Sequence, residues 1–224
     1  MINFCCVIYG NKYRVVYVQH LYNMIKRHLT VPYKFICFTD HVKIHKQVEG
    51  DIEFRKFNKH NLQGWWNKLQ LFNPETGLEG INFYLDLDVV ITDNIDCFVT
   101  FGDTDTFGII RDFGQPKKFY NSSVMKWNNK TAEKIWKQFY DNQSKYKKMQ
   151  GDQNVVTKIM EDDKNLKIFP DEWTQSYKWL DRSQTRFSKT KWTFEKSPTS
   201  KITIFHGNPN PHESDKEWVK NNWK

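Results

Sequence analysis

Short blocks of hydrophobic residues alternate with longer stretches of mixed character along the first part of the chain. Residues 2–9 and 33–38 form two nearly continuous apolar blocks, whereas residues 13–28 place apolar side chains near helical spacing. Continuous apolar runs of this kind are typical of strands that are buried on both faces of a sheet. The pattern therefore predicts a buried strand, a helix and a second buried strand, in this order.

The same alternation continues to the end of the chain. Further strands are predicted at residues 52–57, 81–91, 107–110, 120–127, 166–169 and 202–205, and helices at residues 65–72, 131–140 and 152–160. The sequence from Ser214 to Glu217 has the form of a capping box and predicts a last helix. Strand–helix alternation with buried first strands predicts an α/β fold with a mainly parallel central sheet flanked by helices. A length of 224 residues suits a single domain over residues 1–224.

Residues 178–201 differ from the rest of the chain, because they hold seven basic residues against two acidic ones. Aromatic residues are interleaved with them at Trp179, Phe187, Trp192 and Phe194. The segment is weakly periodic, so we interpret it as a long excursion or hairpin of the same domain. Its aromatic residues either pack on the main body beneath a solvated lysine-rich surface, or meet an anionic glycan or a lipid-linked acceptor at a membrane face.

The composition narrows the class of protein and of ligand. The chain has 34 basic and 26 acidic residues, a formal charge of +8 and an isoelectric point near 9.1. This excess favours a polyanionic ligand and leaves nucleic acid, an acidic membrane surface and a nucleotide diphosphate open. An aromatic content of 16% excludes a wholly disordered chain. No apolar run is long enough to span a membrane and the N-terminus lacks the features of a signal peptide, so we expect a cytoplasmic protein.

The four cysteines form no recognisable metal or redox motif. Cys5, Cys6 and Cys37 lie within apolar runs, and no two cysteines have the C-x-x-C spacing. We interpret them, together with Cys97, as reduced core residues and not as metal ligands or disulfides. Reduced thiols agree with a reducing compartment.

Two carboxylates interrupt the apolar run at residues 81–91. Asp86 and Asp88 are separated by Leu87 and flanked by hydrophobic residues on both sides. An unpaired buried carboxylate is costly, so a compensating partner is required. On a strand, residues two positions apart face the same side, and the two side chains then converge on one hard cation such as Mg²⁺ or Mn²⁺. The alternative is a pair of structural aspartates satisfied by backbone N–H groups or by lysine.

Four further segments combine polar side chains with the ends of predicted elements. Lys68 follows two tryptophans on a predicted helix, and Asn121 to Ser123 precede an apolar pair. Asp152 opens a helix, where N-capping alone would explain it. His206 follows a strand and precedes a loop rich in proline and asparagine. Each segment has a purely structural interpretation, and it is the carboxylate pair that gives His206 a reason to be a third metal ligand.

The order of these motifs resembles a known pattern. A first strand that ends at a nucleotide pocket, a Lys-Leu helix, a D-x-D strand, an Asn-Ser loop, a Gly-Asp-Gln helix start and a His-Gly-Asn-Pro-Asn-Pro segment follow one another between residues 4 and 212. The chain is similar to GT-A fold glycosyltransferases, and among them to glycosyltransferase family 8 and its small bacterial and phage-type relatives. Each motif is weak alone, whereas their combination in this order is fairly specific.

The resemblance implies a role for each matching residue. It makes Asp86, Asp88 and His206 the ligands of Mn²⁺ or Mg²⁺, which holds a nucleotide-sugar diphosphate. It places Asp152 and Gln153 beside the reacting anomeric carbon. The residues that it assigns to the nucleotide are Val7, Ile8, Tyr9, Gly10, Tyr13, Asp40, Lys68 and Leu87. The residues that it assigns to the donor sugar are Arg111, Asp112, Asn121 and Ser122.

Two positions depart from the family pattern. Ser123 stands where the family usually has glycine, which a negative φ at this residue would allow. Asn210 stands where the family usually has a lysine that binds phosphate. Gly207, Asn210 and Lys12 are therefore the candidate phosphate contacts, and His212 is another substitute for the missing lysine.

These observations together predict a metal-dependent glycosyltransferase. It would move a sugar from a nucleotide-diphosphate sugar to a hydroxyl of a glycan, a lipid-linked molecule or another acceptor. The resemblance implies retention of the anomeric configuration, and Gln153 is a poor nucleophile, which favours front-face attack by the acceptor. Two alternatives use the same residues: a metal-dependent phosphodiesterase or nuclease, and a catalytically weak or inactive sugar- or nucleotide-binding module. No nucleic-acid partner is expected, and peripheral contact with a membrane is left open.

Overall fold

The computed structural model describes residues 1–41, 47–57, 62–179 and 194–224 of the chain. Within these ranges the strands are β1 (Ile2–Ile8), β2 (Lys34–Thr39), β3 (Ile52–Lys56), β4 (Ile81–Leu85), β5 (Val89–Ile91), β6 (Phe107–Arg111), β7 (Tyr120–Asn128), β8 (Leu166–Ile168), β9 (Thr174–Ser176) and β10 (Ile202–Ile204). The α-helices are α1 (Val16–His28), α2 (Asp96–Thr100), α3 (Asn129–Asp141), α4 (Gln143–Tyr146), α5 (Asp152–Met160) and α6 (Glu217–Asn222). The segment Gly64–Phe72, where the sequence predicts a helix, is a 3-10 helix.

Seven strands form the central sheet, in the order β3-β2-β1-β4-β7-β6-β8. Neighbours in the block β3 to β4 run parallel, as do β6 and β8, whereas β7 is antiparallel to both β4 and β6. Helix α1 packs on one face of the sheet, and the 3-10 helix, α3 and α5 pack on the other. The predicted α/β fold with a mainly parallel sheet between helices is confirmed. That residues 1–224 form a single domain stays a prediction.

Strand β1 shows how the central sheet separates two hydrophobic cores. Phe4 and Cys6 pack in the core that contains α1, whereas Cys5 packs in the core that contains α3 and α5. Successive residues of a strand point to opposite faces, so a strand covered on both sides is a continuous apolar run in the sequence. All four cysteines are free, with Cys97 partly buried, and burial raises the pKa of the Cys5 thiol.

A second sheet brings a distant segment to the two carboxylates. Its strand order is β5-β10-β9, with β10 antiparallel to β5 and parallel to β9. Beyond the last β10 pair, the backbone N–H of Phe205 donates to the carbonyl oxygen of Asp88 at 3.0 Å. Because His206 follows Phe205 directly, this pairing places His206 next to the Asp86–Asp88 segment.

The single strand predicted at residues 81–91 is two strands. The chain leaves the central sheet after Leu85 and enters the small sheet at Val89, and Asp86, Leu87 and Asp88 form the turn between them. A continuous strand would bury both carboxylates in the sheet, whereas a turn lets them reach partners outside it. The sequence predicted that the two side chains face the same side of a strand. They lie instead on a turn, so this prediction is wrong.

The N-caps of two helices also differ from those that the sequence predicted. Helix α6 begins at Glu217 after Lys216, and the Ser214 hydroxyl instead accepts from the Lys216 backbone N–H and bonds the Tyr177 hydroxyl. The capping box forms earlier, where Asn210 precedes the 3-10 turn Pro211–Glu213. At α5 the cap position is Gly151, and Asp152 is the first helical residue. Its side chain is thus available for contacts beyond its own helix.

The basic, aromatic excursion at residues 178–201 lies mostly outside the described residues. Of its four aromatic residues, Trp179 and Phe194 are described, and both pack inward. The Trp179 ring lies 4.5 Å from the His206 ring, and the Phe194 ring lies 4.8 Å from the Tyr177 ring. Phe187 and Trp192 lie outside the described ranges, so membrane or glycan contact by this segment stays a prediction. Among the described residues, no helix has both the length and the apolar character needed to cross a bilayer.

Candidate active site

A cavity of about 580 Å³ opens where β1 and β4 end, and six segments of the chain line it. It brings together most of the residues that the sequence selected. The lining residues with a predicted role are Val7, Tyr9, Gly10, Lys12, Tyr13, Lys68, Asp86, Leu87, Asp88, Asn121, Ser122, Asp152, Gln153, His206 and Gly207. Ligand sites of open α/β sheets lie beyond the carboxyl ends of the strands, and this cavity is in that place.

Different partners hold the two carboxylates of the turn. Asp86 Oδ1 accepts from the Tyr84 hydroxyl at 2.5 Å and lies 3.0 Å from the Lys68 ammonium nitrogen. Asp88 Oδ2 accepts from the Tyr13 hydroxyl at 2.8 Å. Tyr84 is the second-last residue of β4, and Tyr13 lies in the loop that follows β1. The ends of two neighbouring parallel strands therefore fix the orientation of both carboxylates.

These environments move the two pKa values in opposite directions. Burial alone would raise the pKa of Asp86, but the Lys68 charge and the hydrogen bonds to Asp86 outweigh it and lower that pKa. Burial and the neighbouring Asp86 charge raise the pKa of Asp88 to about 6, and the Tyr13 hydrogen bond offsets only part of this. Asp88 is thus a destabilised anion next to a stabilised one.

Lys68 forms the centre of a buried polar network. Its ammonium nitrogen lies 3.2 Å from Asp152 Oδ2 and donates to Ser122 Oγ at 3.1 Å, and the Ser122 hydroxyl donates to Asp152 Oδ2 at 2.7 Å. Burial opposes the charged form of Lys68, yet the Asp152 and Asp86 carboxylates outweigh it and raise its pKa. One ammonium group therefore ties the D-x-D turn to the start of α5.

His206 is fixed from several sides. Its Nε2 is 2.6 Å from Ser176 Oγ, and its ring stacks against Phe113, with the ring centres 5.6 Å apart. Its backbone carbonyl accepts from the Lys178 ammonium group at 3.0 Å. Lys178 is itself buried, and burial lowers its pKa although the Asp88 charge acts in the opposite direction.

No protein-family model and no curated protein matches the chain in sequence. Solved structures match it in fold. The galactosyltransferase LgtC, in complex with donor and acceptor sugar analogues, gives a TM-score of 0.69 at 13% identity over 99% of this chain and 96% of LgtC. The glycosyltransferase GlyE of Streptococcus pneumoniae TIGR4 gives a TM-score of 0.68 at 14% identity over 94% of this chain. This chain spans only 56% of the length of GlyE. Mouse xyloside xylosyltransferase 1 gives a TM-score of 0.57 at 14% identity, over 92% of this chain and 97% of the xylosyltransferase chain.

These matches cover nearly the whole chain, and all three proteins are glycosyltransferases. The chain has the GT-A fold. The predicted resemblance is confirmed at the level of the fold, and identities of 13–14% carry it no further.

The cavity of this GT-A fold offers groups whose chemistry suits a divalent metal. Asp86, Asp88 and His206 line one cavity and offer two carboxylates and an imidazole, a donor set that suits Mn²⁺ or Mg²⁺. The buried Asp88 anion is short of positive charge, which a cation would supply. Across the described ranges, however, no three His, Cys, Asp or Glu side chains form a ready metal-binding group. The donor chemistry fits, and the groups are not assembled in advance.

Three of the predicted residues that do not line the GT-A cavity have clear structural contacts. Asp40 accepts from the Gly10 backbone N–H at 3.2 Å and so supports the loop that does line it. Ile8 is buried in the core beneath that loop. Asn210 caps the turn at Pro211–Glu213, where its backbone N–H donates to the Glu213 carboxylate at 2.6 Å. Binding of the nucleotide by Ile8 and Asp40, and of phosphate by Asn210, stays a prediction.

Arg111 and Asp112, predicted at the donor sugar, also lie outside the cavity lining. Arg111 is half exposed and lies 3.4 Å from the Asp171 carboxylate. Asp112 accepts from the backbone N–H groups of Gly114 and Gln115, at 2.9 and 2.7 Å, and so closes a turn after β6. Their predicted contact with the donor sugar stays a prediction.

Sequence reasoning missed several residues of the site. The sequence places Tyr84 in a predicted apolar strand and Trp65 on a predicted helix, with no sign that both line the cavity. Lys178 looked like one of many basic residues, yet its ammonium group bonds the His206 carbonyl. Ser123 has a negative φ, as its replacement of glycine requires, and lines the cavity beside Ser122. Two consecutive tryptophans were the one local signal that would have drawn attention to Trp65.

Proposed function

We propose that the protein is a divalent-metal-dependent glycosyltransferase that moves a sugar from a nucleotide-diphosphate sugar to a hydroxyl acceptor, with retention of configuration. The supporting observation is that residues from distant parts of the chain line one cavity. Four of the six segments that line one cavity of a GT-A fold contribute a carboxylate pair, a histidine, an Asn-Ser pair at the start of β7 and an Asp-Gln pair. LgtC, which shares this fold, was solved with donor and acceptor sugar analogues. Four free cysteines support a cytoplasmic location as part of the proposal.

In this proposal Asp86, Asp88 and His206 hold Mn²⁺ or Mg²⁺. Bound there, the metal would act as a Lewis acid for the negative charge that develops on the departing diphosphate. The residues after β1, from Tyr9 to Tyr13, lie where the nucleoside end of the donor would enter, and Asn121 and Ser122 offer hydrogen bonds to sugar hydroxyls. The chain thus supplies separate contacts for each part of the donor.

The Lys68 network supports front-face attack. The Asp152 carboxylate is ion-paired to Lys68 and accepts the Ser122 hydrogen bond, and both contacts lower its nucleophilicity. Gln153, the neighbouring cavity residue, has a weakly nucleophilic amide. The acceptor oxygen would then bond directly to the anomeric carbon while the bond from that carbon to the phosphate oxygen breaks. The acceptor proton would leave with the diphosphate.

Lys178 is a candidate for the positive charge that Asn210 does not supply. Its buried ammonium group bonds the His206 carbonyl, and a Cβ added to Gly207 would lie 3.7 Å from its nitrogen. Gly207 lines the cavity, so the ammonium group is within reach of a diphosphate there. An ammonium group is positively charged and donates hydrogen bonds, and both properties suit contact with phosphate oxygens.

We expect Lys178→Met to weaken binding of a nucleoside diphosphate by at least about tenfold, because a charge-assisted hydrogen bond contributes roughly 1.5–3 kcal/mol. Calorimetric titration with nucleoside diphosphates in the presence of Mn²⁺ measures the loss. Binding of the corresponding nucleoside should change less than twofold, because it has no phosphate. Lys178→Arg keeps the charge and serves as the matched control. Equal losses for nucleoside and diphosphate would mean that Lys178 only supports the fold.

The proposed function is tested with a panel of UDP-, GDP- and ADP-sugars, each with Mn²⁺, Mg²⁺ or a chelator. At a ligand concentration 100-fold above Kd, binding stabilises the folded protein by about 2.7 kcal/mol. For a chain of this size that corresponds to a rise in melting temperature of roughly 5–10 °C. We expect one nucleotide sugar to give this rise with metal only, together with release of the nucleoside diphosphate.

The other outcomes separate the alternatives. Stabilisation without release of the nucleoside diphosphate, in the presence of varied sugar acceptors, would make the protein a binding module. Cleavage of a phosphodiester substrate such as bis-p-nitrophenyl phosphate, without any response to nucleotide sugars, would make it a phosphodiesterase. Equal stabilisation with metal and with chelator would contradict the metal-dependent part of the proposal alone.

A further inference from the structure

Trp65 is an exposed tryptophan at the cavity. It is 60% exposed, and in the described part of the chain the other large apolar side chains with high exposure are Met1, Val16 and Tyr140. Of these four, Trp65 is the one that lines the cavity. A single exposed apolar residue needs no explanation on an open surface. An indole ring left open to solvent at the wall of a ligand cavity is different, because aromatic walls are typical of ligand sites.

The neighbouring Trp66 shows that the fold does not require this exposure. The Trp66 ring stacks on Phe139 of α3, with the ring centres 6.2 Å apart, and packs against the core that contains α3 and α5. The two tryptophans are adjacent in the 3-10 helix, yet one completes a core and the other faces the cavity. Core packing therefore explains Trp66 and leaves Trp65 unexplained.

The contacts of Trp65 place it at one particular end of the cavity. A Cβ added to Gly151 would lie 3.7 Å from Trp65 Nε1, so the indole ring lies against the backbone immediately before Asp152 and Gln153. Helix α5, which begins there, packs on β7 and on the 3-10 helix. In the sheet, β4 separates β7 from β1, and neighbouring strands are about 4.8 Å apart. Trp65 thus lies toward the β7 side, away from the β1 end that the proposed function assigns to the nucleoside.

We propose that Trp65 is the stacking platform for the acceptor, and that the acceptor is a sugar that presents the C–H face of a pyranose ring. The inference rests on the proposed function and adds the class of acceptor to it. An indole ring offers a rigid apolar face for the C–H groups, and its Nε1–H donates a hydrogen bond to a ring or hydroxyl oxygen. A platform beside Asp152 and Gln153 holds the attacking hydroxyl where the new glycosidic bond forms.

The kinetic test compares Trp65→Ala and Trp65→Phe with the wild type. The acceptor probes are methyl glycosides of glucose, galactose and N-acetylglucosamine, and lactose, with the donor found in the panel above. We expect Trp65→Ala to raise the acceptor KM about tenfold, which corresponds to about 1.4 kcal/mol, and to change the donor KM less than twofold. Trp65→Phe should recover most of the loss. Tyr140→Ala, which removes an exposed aromatic ring outside the cavity lining, is the matched control.

A second measurement does not need turnover. Saturation-transfer NMR on the same methyl glycosides, with the wild type and with Trp65→Ala, reports whether the sugar ring contacts the protein through Trp65. We expect signal on the ring C–H protons for the wild type and its loss for Trp65→Ala but not for Tyr140→Ala. If no donor is consumed but this pattern holds, the proposed function fails and the platform stands.

The platform itself is overturned by any of three results. The first is an unchanged acceptor KM and an unchanged NMR signal in Trp65→Ala. The second is a rise in the donor KM alone, which would assign the ring to the nucleobase. The third is donor turnover that no glycoside of the panel accelerates, accompanied by no saturation transfer to any of them, which would exclude a simple sugar as acceptor.

Discussion

Asp88→Asn is expected to abolish metal-dependent sugar transfer and, at the same time, to stabilise the fold. The amide keeps an oxygen that accepts the Tyr13 hydrogen bond, so the turn between β4 and β5 keeps its shape. It loses the negative charge that makes a carboxylate a much stronger ligand for a hard cation than a neutral amide oxygen. Loss of a Lewis acid removes several kcal/mol of transition-state stabilisation, and we expect activity to fall at least about a hundredfold.

The gain in stability follows from the position of the charge. Burial and the adjacent Asp86 raise the pKa of Asp88 from 3.8 to about 6, so ionised Asp88 destabilises the folded protein at neutral pH. At 1.36 kcal/mol per pKa unit, the neutral amide relieves about 2–3 kcal/mol. In a chain of this size the melting temperature of the metal-free variant should rise by roughly 5–10 °C. Differential scanning calorimetry in the presence of a chelator measures it.

The pH dependence provides the control. Because the pKa of Asp88 is higher in the folded protein than in the unfolded chain, the unfolded state binds fewer protons between pH 4 and 6. The stability contributed by this group therefore falls as pH rises through that window. The advantage of Asp88→Asn should be full above about pH 6 and vanish below about pH 4. An inactive variant that is also less stable at pH 7 would show that Asp88 only supports the structure.

The sequence located the carboxylate pair because two charges in an apolar run demand compensation. It could not locate the turn between them, since Leu87, Val89 and Val90 are as apolar as the strand before them. The break arises because β5 pairs with β10, more than a hundred residues later, and not with the central sheet. Long-range pairing of this kind leaves no local signal at Asp86 and Asp88.

The two possible capping boxes near the C-terminus show a local ambiguity. Asn210 to Glu213 and Ser214 to Glu217 both satisfy the pattern of a cap followed three residues later by glutamate. The first forms, and Pro211 at the first helical position explains the choice because its fixed φ suits that position and it has no N–H to satisfy. In this cap the Asn210 side chain bonds Glu213, whereas the family pattern assigns this position to a phosphate contact.

The sequence does not identify Trp65 and Lys178 as residues of the site, for a different reason. Their residue types are common in this chain, and only tertiary placement distinguishes them from their neighbours. Trp65 differs from Trp66 in which side of the 3-10 helix it occupies. Lys178 is distinguished by the His206 carbonyl that its ammonium group contacts. Sequence identified the groups whose chemistry is unusual in context, and the structure identified those whose position is unusual.

Lys68→Met is expected to lower both stability and activity severely. Methionine is of similar length and removes only the ammonium group, which leaves the buried Asp86 and Asp152 carboxylates facing each other without it. Breaking a buried ion pair by removal of one partner typically destabilises by about 3–5 kcal/mol. We expect the melting temperature to fall by roughly 10 °C. Activity should fall as well, because both ends of the network line the cavity.

A double-mutant cycle separates the charge effect from packing. If uncompensated carboxylates cause the loss, Lys68→Met combined with Asp152→Asn should be more stable than Lys68→Met alone, because one of the two anions is gone. Ser122 can still donate to the amide oxygen that Asp152→Asn introduces, so this part of the network is kept. Activity should not return, since the proposal needs both groups at the cavity. A double variant that melts below Lys68→Met would contradict this account and show that Lys68 contributes mainly by packing.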